Sequence, residues 1–97
     1  MSNQIREWRY ASVDLANDVT TITAVPCLVK GWDVTTAISA HNAPVQDATT
    51  PVFVIPASTT AGTGLEYLDP IRFETSLVVD PDNAATGIVT IYYKPMR

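Results

Sequence analysis

The sequence predicts an all-β fold, an antiparallel β-sandwich of about eight short strands with the jelly roll as one of its arrangements. Three observations carry this. Runs rich in Val, Ile, Thr and Tyr recur about every 8–12 residues, the spacing of sandwich strands. Turn-forming groups such as Lys30-Gly31, Asp69-Pro70 and Asp80-Pro81-Asp82-Asn83 separate them. No window of about 11 or more residues keeps a helical stripe free of Pro, Gly or a β-branched cluster.

In chain order, residues 1–4 read as a loose or partner-dependent tail. Over residues 5–12, Arg6, Trp8 and Tyr10 fall on one face and Ile5, Glu7, Arg9 and Ala11 on the other, a period-2 strand pattern. Neither face is purely apolar. Residues 1–12 therefore form an N-terminal arm or edge strand, set apart from a single β-sandwich domain over 13–97. Residues 13–18 suit a turn or one helical turn. Residues 19–25 are a β-branched strand interrupted by Pro26, which a sheet tolerates at edges, strand starts or bulges. Residues 27–29 continue to a turn at Lys30-Gly31. A strand over 32–40 ends near His41-Asn42-Ala43-Pro44, and 45–48 form a short one.

Residues 51–56 are an apolar run boxed by Pro51 and Pro56. Length and residue type favour a buried strand. Residues 57–64 are small and polar, the clearest loop, and are expected to link neighbouring strands. Residues 65–68 begin a further strand, Asp69-Pro70 marks a turn, and 71–79 and 87–94 complete the set. The last two runs are expected to pair antiparallel across the Asp80–Asn83 turn chemistry. Gly87 supplies backbone freedom that other residues lack. Alternation then places Val52, Val54, Leu77, Val79, Val89 and Ile91 inward.

Composition bounds the function. Ninety-seven residues make one domain. Charged residues are 16% of the chain, against about 25% in ordinary domains, so Thr, Ser, Asn and Ala must cover the exterior. That exterior suits contact with other protein. The net charge of −4 argues against nucleic acid, which calls for a basic patch. No apolar run approaches the roughly 20 residues of a membrane span. The first nine residues lack the apolar core of a signal peptide, which points to synthesis in the cytoplasm.

Chemistry-bearing patterns are sparse. Cys27, the single cysteine, lies in an apolar run and reads as a buried small hydrophobe. His41 is the only histidine, and no Cys or His pair has zinc-ligand spacing. There is no G-x-S-x-G elbow, P-loop or dinucleotide fingerprint. Asp80, Asp82 and Asn83 offer oxygens of the kind calcium takes, but Pro81 explains that turn without metal. Trp8, Tyr10, Trp32, Tyr67, Tyr92 and Tyr93 can build a sugar-stacking platform, although strand aromatics more often serve core or interface. The expectation is no enzyme, no cofactor and no metal.

Three stretches carry a resemblance: Ala37–His41, Pro51–Ser58 and Arg72–Gly87. Over about residues 25–95 the chain resembles small capsid decoration, or head cement, proteins of tailed bacteriophages. The resemblance implies a β-sandwich or jelly roll without enzymatic activity. It implies a structural virion protein made in the host cytoplasm, which binds the outer capsid surface and bridges major capsid subunits. It also implies a homo-oligomer, and we take a trimer as the first expectation. The alternative is a receptor- or glycan-binding β-sandwich module of a phage tail fibre. The contact residues expected are Arg6, Trp8, Arg9 and Tyr10 of the arm with Ser58, Thr59, Thr60, Gly62 and Gly64 of the loop. Trp, Tyr and Arg are the usual interface anchors.

Overall fold

The computed structural model describes residues 8–96. They form eight strands and no helix: β1 (Arg9–Asp14), β2 (Thr20–Thr23), β3 (Cys27–Thr36), β4 (Ala43–Asp47), β5 (Thr50–Ile55), β6 (Gly64–Phe73), β7 (Leu77–Val79) and β8 (Ile88–Pro95). The chain pairs like one long hairpin folded at the β4–β5 turn. β1 pairs with β8, β2 with β7, β3 with β6 and β4 with β5. Two more antiparallel pairings, β3 with β8 and β4 with β7, complete two four-stranded sheets of order β1-β8-β3-β6 and β2-β7-β4-β5. This is the jelly-roll arrangement. Only the β4–β5 turn joins neighbours within one sheet.

The core lies between the sheets. Val13, Val29, Val34, Phe73, Val89 and Ile91 of the first sheet face Val45, Ile55, Leu77 and Val79 of the second, and all are buried. Among the described residues no charged or polar side chain is buried. The interior is therefore held by apolar area alone, at about 25 cal/mol per Å² removed from water. Cys27 is part of it, and burial together with the charge of Asp47 pushes its thiol up to about 11. Such a thiol stays protonated and inert at neutral pH.

Five expectations are corrected. The runs 71–79 and 87–94 do not pair with each other. β7 lies between β2 and β4, and β8 lies between β1 and β3 in the other sheet. Leu77 and Val79 instead join the same core as Val89 and Ile91 from the opposite sheet. The linker over residues 80–87 crosses from sheet to sheet, and Pro81 is buried on the way. In the same way the loop after β5 joins strands of different sheets, not neighbours.

Val52 and Val54 point outward, at 39% and 44% exposure, while Phe53 and Ile55 face in. β5 is an edge strand with apolar residues on both faces, so alternation alone left its phase open. The Phe53 ring settles it. Its centroid lies 5.6 Å from Tyr67 and 6.2 Å from Phe73, the latter edge-on, as aromatic quadrupoles prefer.

Lys30-Gly31 is not a turn. It is a bulge inside the continuous strand β3, with the register shifting between Val29 and Gly31 on both neighbours. The region 65–79 is cut differently as well. Asp69-Pro70 lies inside β6, where residues 67–70 stand opposite Lys30 alone and the ladder is interrupted. A proline, lacking an N–H, fits such a gap. The break comes at residues 74–76, between β6 and β7.

That break is clamped by Asp47. Its Oδ2 accepts the Glu74 N–H at 2.8 Å, and its Oδ1 accepts those of Thr75 and Ser76 at 2.9 and 3.2 Å. Partial burial pushes the carboxyl up, but the three backbone donors outweigh it and leave the pKa below the ordinary 3.8. A depressed folded-state pKa adds stability that is complete above the unfolded value and is lost as pH falls through the folded one. Asp47→Ala should therefore cost about 1–2 kcal/mol at pH 7. Asp47→Asn should flatten the loss of stability below pH 4. Urea denaturation at neutral and acid pH reads both effects.

Candidate functional site

The outer face of the β1-β8-β3-β6 sheet carries a cleft of about 460 Å³, lined by Trp8, Tyr92, the β3 residues Lys30, Gly31, Trp32 and Asp33, and the β6 residues Gly64, Leu65 and Glu66. Each residue arrives for a local reason. Trp8 directly precedes β1, and Tyr10 shares its alternation face. Tyr10 is opposite Tyr92 of β8 in the register. On β8 the period of two sends Val89, Ile91 and Tyr93 inward and Tyr92 outward. The β3 bulge adds Lys30 to the outer surface and brings Gly31 between Tyr92 and Glu66.

Gly31 is bare by necessity. A Cβ there would collide with the Leu65 carbonyl oxygen and lie 3.0 Å from the Glu66 Cα, both backbone atoms. The missing side chain lets the β6 backbone approach Gly31 closely.

The walls are held. The Tyr92 hydroxyl donates to Asp33 Oδ2 at 2.7 Å. That bond, with lesser contributions from burial, the Asp33 charge and Tyr10, pushes the phenol above its ordinary 10.0. Tyr92 thus remains a donor throughout the neutral range. The ammonium of Lys30 lies 5.4 Å from the Trp8 ring centroid and that of Lys94 lies 5.9 Å from it. Such cation–π contacts add about 0.5–1 kcal/mol each at exposed sites. Lys30 Nζ is also 3.7 Å from Glu66 Oε2, an exposed pair whose role is orientation more than stability. Beneath, the Trp32 indole N–H donates to the Tyr67 hydroxyl at 3.3 Å.

Two of the expected contact residues, Trp8 and Gly64, meet at this cleft. Tyr10 stands beside it at 74% exposure, and Arg9 is exposed on β1 opposite Tyr93. Ser58, Thr59, Thr60 and Gly62 lie elsewhere, stapled to the far end of β3 and the segment after it. Gly62 N–H donates to the Val34 carbonyl, Ser58 N–H to Ser39, and Thr59 accepts from Ile38 N–H. Arg6 lies outside the described residues. From Arg9 on, the supposed arm is the edge strand β1, which runs to Asp14.

The cleft residues not singled out as contacts were Lys30, Gly31, Asp33, Leu65 and Glu66, with Trp32 and Tyr92 named only among the platform aromatics. Tyr92-Tyr93 did hold a usable signal, since alternation on β8 separates the outward ring from the inward one. Nothing local in the sequence marks the bulge.

The suggested calcium donors are engaged separately. Asp80 Oδ2 accepts from Gln46 at 3.4 Å, and Asp82 Oδ2 lies 3.6 Å from His41 Nδ1. Among the described residues no group of three or more His, Cys, Asp or Glu is placed to hold a metal, and no helix is long and apolar enough to cross a membrane. No protein-family model, curated protein or solved structure matches the chain.

Proposed function

We propose that this chain is a non-enzymatic structural protein of a tailed-phage virion, binding the outer capsid surface and bridging major capsid subunits. The observation that carries the reading is the outer face of the β2-β7-β4-β5 sheet. Val52 and Val54 stand exposed there on the edge strand β5, and Val54 pairs in register with Pro44. An apolar stripe on an open sheet edge is a surface that natural folds cover or blunt unless a partner uses it. The jelly-roll topology and the resemblance of residues 25–95 to head cement proteins support the same reading. Binding that favours the assembled shell stabilises it by mass action. A homo-oligomer, with the trimer first, is part of the proposal.

The test is titration of the purified chain onto capsids of the encoding phage, read by co-sedimentation, with sedimentation velocity for the free oligomer. Val54→Asp should weaken capsid binding at least tenfold and leave the melting temperature nearly unchanged, because the side chain is outside the core. Equal binding by the variant removes this face from the interface.

A further inference from the structure

We infer that the cleft between Trp8 and Tyr92 is a binding site for a neutral pyranose glycan. It lies on the sheet opposite the one carrying Val52 and Val54. The two outer faces of a sandwich point in opposite directions, so a glycan and a protein partner can be held at once. The inference does not depend on the capsid reading.

The walls fit a sugar ring. Trp8, Tyr10 and Tyr92 group on one outer face, with Tyr10 and Tyr92 paired in register. An aromatic π-face is negative, and the axial C–H groups of a pyranose are weakly positive, so the two stack. Gly31 adds main chain alone to the lining. The volume of about 460 Å³ falls in the range of small-ligand sites, about 300–1,000 Å³.

The polar groups select a neutral ligand. The lining carries two carboxylates, Asp33 and Glu66, and one ammonium, Lys30, which stands against Glu66. An anionic ligand meets the two carboxylates, and a cationic one meets the Lys30 ammonium. A sugar hydroxyl both donates and accepts, so it can pair with either sign. Asp33 commits Oδ2 to Tyr92, and no bond to its Oδ1 is made among the described residues, which leaves that oxygen to accept a sugar O–H. The walls are fixed beforehand by the Tyr92–Asp33 bond and the two ammonium contacts on Trp8. Preorganisation of this kind lowers the ordering cost of binding.

The experiment uses the full chain. Its two tryptophans, Trp8 and Trp32, both line the cleft, so intrinsic fluorescence reads occupancy directly. Screening against an array of neutral hexose and N-acetylhexosamine oligosaccharides, then fluorescence titration of the hits, should give saturable binding in the millimolar range or tighter. Trp8→Ala should weaken it at least tenfold, while Val54→Asp on the opposite sheet leaves it unchanged. Should Trp8→Ala fail to fold, Tyr10→Ala, exposed and outside the core, tests the same wall and should weaken binding at least threefold. Binding to no neutral glycan, binding to charged glycans only, or titration curves indifferent to these wall substitutions overturns the inference. So does loss of capsid binding in Trp8→Ala without any glycan bound, which assigns the cleft to a protein partner.

Discussion

Gly87→Ala should come close to unfolding the protein. Gly87 has φ +125°, a conformation that L side chains rarely adopt. A Cβ there would lie 2.8 Å from the Ala37 carbonyl oxygen, 3.0 Å from the Ile38 Cα and 3.1 Å from the Thr36 carbonyl oxygen. All three are backbone atoms, so no rotamer change relieves the contact. Strained backbone costs about 1–3 kcal/mol and overpacking about 1–3 kcal/mol more. Against a total stability of about 5–15 kcal/mol for a chain of this size, that is a large share. The position also ties the structure together, because the Gly87 carbonyl accepts the Leu15 N–H at 2.9 Å where β1 ends. In a permissive loop the same substitution stabilises by about 0.4–1 kcal/mol through the unfolded chain. The sign of the change in the urea midpoint therefore decides between a packed crossing and a slack one.

Phe73→Ala should cost about 3–5 kcal/mol, the usual loss when a buried aromatic is truncated. Phe73 is fully buried near the end of β6 and meets Phe53 of the other sheet edge-on. Opposite it in the ladder is Cys27, itself buried. The cavity would open where β5 and β6, the edge strands of the two sheets, are held together. Leu68→Ala is the control, since Leu68 is fully exposed on the β6 irregularity. It should change stability by less than about 0.5 kcal/mol. Chemical denaturation of both variants with an unchanged m-value reads the comparison.

What the sequence made legible was local. Short β-branched runs between turn residues announced the strands, and alternation placed Leu77, Val79, Val89 and Ile91 inward, where they are all fully buried. Partners were not legible, because strand pairing depends on contacts far apart in the chain. One local clue existed. Eight residues separate β7 from β8, more than the 2–5 of usual hairpin loops, and a linker of that length suits a crossing between sheets. Val52 and Val54 were misplaced because β5 is apolar on both faces, so the decision lay with the Phe53 ring and its distant partners. The cleft was half legible. Its aromatics stood out, but the bulge that positions Lys30 and bares Gly31 comes from how β3 meets β6 and β8, not from any local pattern.

The most direct measurement is electron cryo-microscopy of capsids saturated with the purified chain. The account predicts jelly-roll density between capsid subunits, with Val52 and Val54 against the shell and the Trp8–Tyr92 cleft open to solvent. Capsids that stay bare at saturating protein, or density seated with the cleft face on the shell, would contradict it.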